Sequence, residues 1–145
     1  MEYLTKADEI YIFCISLSLT KELEREFQAK ACIEILDPAS FIERWHRALP
    51  RNAKYVSRRV GYSRSEDVPG NVWALPDLIA TTKLRRFSYQ DEYRFAYTTT
   101  DAFGFQNCTY QLVDRKTRPS PKPEEHHSQT LQLGDLRDIC KLHVF

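Results

Sequence analysis

Phe87-Ser-Tyr-Gln-Asp-Glu-Tyr-Arg-Phe-Ala-Tyr97 alternates with the period of a β-strand. Read as one strand, it sets Tyr89, Asp91, Tyr93, Phe95 and Tyr97 on one face and Ser88, Gln90, Glu92, Arg94 and Ala96 on the other. The first face is mostly aromatic. The second carries an amide, a carboxylate and a guanidinium at every second position. Antiparallel sheets with one covered and one polar face show this pattern. The polar face has two readings: a solvated surface with a cross-strand ion pair, or the wall of a cleft.

Outward from this strand, the pattern predicts further strands. Thr109-Tyr-Gln-Leu-Val113 reads as its hairpin partner. Upstream, Tyr55-Val-Ser-Arg-Arg-Val-Gly-Tyr62 is a strand, and 76–81 is one or two helical turns opened by Pro76. The run 9–16 is short, apolar and β-favouring, so it is predicted to be a central strand buried on both faces. Thr20 is the expected N-cap of a helix with Glu22 and Glu24 in its first turn. A strand over 30–36 follows, and Asp37-Pro38 then starts a helix that Pro50 stops. Its apolar side is Phe41, Ile42, Trp45 and Leu49. Two closing strands are predicted over 128–133 and 139–144. Residues 115–127, with Pro119, Pro121 and Pro123 among charges, read as a mobile loop. The expected fold is α+β: a single compact domain over 1–145, with a mixed, mostly antiparallel sheet and two or three helices in the first two thirds of the chain.

A length of 145 residues allows a core without disulfide or metal staples. Charged residues at 28% and apolar ones at 42% are ordinary for a globular protein. No apolar run is long enough to span a bilayer and no signal-peptide pattern opens the chain, so the expected location is the cytoplasm. Cys14, Cys32, Cys108 and Cys140 lie in separate β-like stretches without a C-x-x-C pair, so they are expected to be buried and reduced. His126 and His127 beside Glu124 and Glu125 fall in the proline-rich stretch and are expected to face solvent. No metal site is expected.

A net charge of +1 gives no global attraction to nucleic acid, but the charge is uneven. Arg44, Arg47, Arg51, Lys54, Arg58, Arg59 and Arg64 occupy 44–64 without an acidic residue. With Tyr55 and Tyr62 among them, they resemble the mix of cations and aromatics used by single-strand binders. Strand alternation sends Arg58 and Arg59 to opposite faces, so this stretch alone makes no continuous stripe.

Phe13-Cys-Ile-Ser16, Arg59-Val-Gly-Tyr62, Lys83, the run from Tyr89 to Phe95 and Gly134-Asp-Leu-Arg-Asp138 occur in a familiar order. In that order the chain resembles the central and C-terminal part of a widespread bacterial family of uncharacterised domains, numbered 2971. Members of that family are usually longer at the N-terminus, so the resemblance implies that the opening of the pattern is absent here. A homodimer in which a second copy replaces a missing strand is one consequence. The chain is also similar, over fewer residues, to the arginine-, serine- and glutamate-type ADP-ribosyltransferases. That similarity implies NAD as cofactor, Ser16 positioning the nicotinamide ribose, Gln90 orienting an acceptor and Glu92 holding a ribose hydroxyl. The early arginine of that pattern is missing, since the first nine residues offer only Lys6.

Three functions follow as expectations. The first is a small non-catalytic binding protein of bacterial or phage origin, an inhibitor or adaptor in conflict between host and mobile elements. It needs no cofactor and meets a protein partner through Arg44, Arg47, Arg51, Lys54, Arg58, Arg64 and Arg94. The second is an ADP-ribosyltransferase-like enzyme using Ser16, Gln90 and Glu92. The third is an RNA- or DNA-binding module built on the basic segment.

Overall fold

The computed structural model describes residues 2–4, 9–64, 75–104, 109–111 and 128–145. Expectations for Cys108, the 115–127 loop and its histidines lie outside them. The fold is α+β. The chain divides into two units, each assembled from two stretches of sequence: Met1–Leu17 with Asn52–Ser128, and Ser18–Arg51 with Gln129–Phe145.

In the first unit, β1 (Glu2–Leu4) and β2 (Tyr11–Ser16) precede β4 (Lys54–Arg59) and β5 (Gly61–Ser63). Then come α3 (Pro76–Ala80), β6 (Thr82–Leu84), a 3-10 helix (Arg85–Gln90), β7 (Glu92–Thr98) and β8 (Thr109–Gln111). Strand β7 is central, with β2 and β4 antiparallel on either side. Tyr93, Phe95 and Tyr97 share one face with Tyr11, Phe13 and Tyr55, and Tyr11 stacks on Tyr97 with ring centroids 5.2 Å apart. Phe95, Ala96, Tyr97 and Thr98 are buried.

Four expectations are corrected here. The 87–97 run is not one strand: 85–90 coils as a 3-10 helix, and Asp91 at φ 40° turns the chain into β7. No glycine or proline marks that break. The 55–62 run is two strands: Val60 makes a last bond to β7, its N–H on the Glu92 carbonyl, and the next residue, Gly61, turns its N–H to the Thr81 carbonyl. Beyond it, β5 runs parallel to β6. Strand β8 pairs with β1, not with β7, whose two edges are already occupied by β2 and β4. Strand β2, as an edge strand, is not buried on both faces: Ile12 and Phe13 are exposed.

The second unit holds α1 (Lys21–Phe27), β3 (Ala31–Ile35), α2 (Pro38–Ala48) and β9 (Cys140–Val144). Both helix starts follow the predicted chemistry. Thr20 Oγ1 accepts the Leu23 N–H, and Asp37 Oδ1 accepts the Ser40 N–H. Helix α1 ends at Gln28, whose φ of 50° is left-handed. Phe41 and Trp45 are the buried residues of α2, joined in the core by Leu23 and Ile139. Strands β3 and β9 pair antiparallel, Ile33 opposite Leu142 and Ala31 opposite Val144. The predicted strand at 128–133 does not form: that stretch has no ladder. The cysteines are less buried than expected, with Cys14 exposed, Cys32 and Cys140 half-buried, and all three free. No helix among the described residues is long and apolar enough to cross a membrane.

Candidate functional site

The polar face of β7 begins at Glu92, whose register partner on β2 is Ser16, and continues to Arg94, flanked by Cys14 and Arg58. Over it lie α3, β6 and the 3-10 helix. Lys83 of β6 sends its ammonium to Glu92 Oε1 at 2.7 Å and also to Gln90 Oε1. Arg94 gives its Nε–H to Glu92 Oε2 at 3.0 Å and its Nη1 to the Ala80 carbonyl at 2.8 Å. Both carboxylate oxygens are therefore engaged, and Glu92 is only 7% exposed. The Glu92 N–H is taken by the Tyr62 hydroxyl at 2.9 Å. Burial raises the Tyr62 phenol above its ordinary range.

Ser16 is brought beside Gln90, but it donates to the Gln90 backbone carbonyl at 2.7 Å rather than to a side chain. Gln90 and Glu92 project from a 3-10 helix and a strand, not from one strand, and Lys83 is what joins them. The thiol end of Cys14 lies beside Arg94. Desolvation there pushes the thiol up, against the opposing pull of Arg94. Two further ion pairs tie down the surroundings: Arg58 to Asp77 of α3 at 2.7 Å, and Arg59 to Asp91 at 2.5 Å.

The basic segment is dispersed. Lys54 pairs with Asp101, Arg58 with Asp77, Arg44 with Asp138 and Arg47 with Glu43. Arg51 and Arg64 are exposed. The structure brings only Arg44 and Arg47 to one place, a cavity of about 220 Å³ in the second unit, with Ala48, Gln132, Leu133 and Gly134. There Arg44 is anchored by its Nη1 to the Asp135 carbonyl and its Nη2 to Asp138, whose carboxyl it holds below the usual carboxylate range. Arg137 does the same to Asp135.

Comparison with protein-family models, with curated proteins and with solved structures found no match. Among the described residues, no three side chains of metal-ligating type converge. Sequence reasoning singled out Glu92, Gln90, Ser16 and Arg94 as site residues and named Lys83 only within the family resemblance, not as the side chain that joins Gln90 to Glu92. Lys83 sits in a three-residue strand, too short for any alternation to show which way it faces.

The second unit carries the other candidate surface. Ile33, Leu142 and Val144 lie on one face of the β3–β9 sheet and are 69%, 64% and 76% exposed. Ala31 on the same face is also open to solvent, and no charged residue shares that face. Glu34, Lys141 and His143 are on the opposite face, with His143 Nε2 2.7 Å from Glu34 Oε2.

Proposed function

We propose that this chain is a non-catalytic protein-binding module that works by protein–protein contact, through the apolar face of the β3–β9 sheet. Such a module suits an inhibitor or an adaptor. The observation that carries the reading is the exposure of Ile33, Leu142 and Val144 side by side. Single exposed apolar residues are ordinary, but a contiguous patch of β-branched and leucine side chains without a charge is typical of a contact surface. The Glu92 cluster supports the same reading from the other side. Its carboxylate is covered and committed to Lys83 and Arg94, as an ion pair that locks a short helix and strand onto a sheet would be.

The test is Leu142→Glu. A contact residue tolerates it, with stability in urea changing by no more than about 0.5 kcal/mol, while binding of the protein's partner is lost. A core residue would cost about 2–5 kcal/mol on losing its packing, and a loss of that size overturns the reading. Addition of NAD is expected to leave the melting temperature unchanged. An upward shift that Glu92→Gln removes would favour the transferase chemistry instead.

A further inference from the structure

We infer that the stretch 130–134, together with Arg47 and the cavity beside it, receives an extended acidic peptide segment of a partner protein. This rests on the reading of the chain as a protein-binding module, but on a different surface. The sequence Ser128-Gln-Thr-Leu-Gln-Leu133 has the alternation of a strand, yet it has no ladder. No backbone hydrogen bond joins residues 130–134 to any described residue. A segment with strand-like alternation and open N–H and C=O groups can take its missing main-chain hydrogen bonds from an added peptide strand.

The cavity next to this segment points to what the peptide carries. Its volume of about 220 Å³ is below the range of about 300–1,000 Å³ typical of small-molecule pockets. At about 30 Å³ per water it holds about seven waters, room for one carboxylate side chain and a little of its backbone. Two arginines line it. Arg44 is held in place by Asp138 and the Asp135 carbonyl, so its remaining N–H donors are oriented in advance. Among the described residues Arg47 is tied only to Glu43, in an exposed pair one helical turn away, a contact that contributes about 0.3–0.5 kcal/mol in helices and yields readily to a better acceptor. A glutamate or aspartate side chain of the added strand therefore meets a guanidinium fork while its backbone pairs with 130–134. Gly134, at φ 78°, leaves free space on the side where a Cβ would stand, which keeps the end of the segment open.

Fluorescence anisotropy with a labelled peptide of about six alternating Glu and Val residues tests this. The peptide is expected to bind the wild-type protein. Arg47→Glu should weaken it at least about tenfold, the scale of one charge-assisted contact. Methylation of alternate peptide amides should abolish binding without any change to the protein, and the matching Lys-Val peptide should not bind. Failure of the Glu-Val peptide to bind, equal binding of the Lys-Val peptide, or indifference to amide methylation overturns the site. If that happens while Leu142→Glu still behaves as a surface variant, this site falls and the module reading stands. If the peptide binds but Leu142→Glu unfolds the protein, the apolar face falls and this site stands.

Discussion

Glu92 is a carboxylate held away from water by two cations, and its energetics follow from that geometry. Lys83 and Arg94 occupy separate oxygens, and among the described residues neither cation pairs with another carboxylate. Removing one member of such a group leaves the others buried and uncompensated, which costs more than the pair contributes. Lys83 keeps 24% of its side chain exposed, so the penalty is below that of a fully buried group. Glu92→Gln is expected to destabilise the protein by about 2–4 kcal/mol in urea denaturation. Adding Lys83→Met to it should restore part of the loss, because the second change removes the stranded ammonium. Additive losses in that double-mutant cycle would show that Lys83 and Glu92 act independently. The importance of Glu92 was legible in the sequence through its place between Gln90 and Arg94. The identity of its principal partner was not, since the pairing runs across a turn through a left-handed aspartate that no local pattern announces.

At the scale of elements, what was legible was what is local. Asp37-Pro38 and Thr20 cap their helices because side-chain oxygens and proline act within one turn of themselves. What was not legible was where a β-like run ends. Both runs break for tertiary reasons: after Val60 the chain leaves β7 and Gly61 meets β6, and Asp91 ends a 3-10 turn with its carboxylate held by Arg59. The strand pattern at 128–133 failed for the opposite reason. Alternation is necessary for a ladder but does not supply the neighbour. The caps give a prediction with two signs. Asp37→Ala removes the acceptor for the Ser40 N–H and is expected to cost about 1 kcal/mol. Gln28→Gly places the residue that suits a positive φ at the end of α1 and is expected to stabilise by about 0.5–1 kcal/mol. Denaturant midpoints shifting in the same direction for both variants would contradict this account of the two helix ends.

At the scale of the whole molecule, each unit draws on two distant stretches of chain, and pairings such as β3 with β9 span most of the sequence. Local patterns specify strands, but such long-range closure is decided by burial, and no single stretch encodes it. The two sheets differ in how completely that closure satisfies them. Strand β7 has neighbours on both edges and a buried core, whereas β3 and β9 have only each other among the described residues. A two-stranded ribbon with an open apolar face is marginal unless something covers it. Amide hydrogen exchange in dilute solution should therefore rank β7 as the slowest segment, with β9 exchanging far faster and at alternate positions nearly unprotected. Equal protection of β9 and β7 at low concentration would refute the ranking. Protection of β9 that rises with protein concentration, while β7 stays constant, is the signature of a second copy closing over Ile33, Leu142 and Val144. Protection that rises only when a partner is added assigns the same face to a different protein.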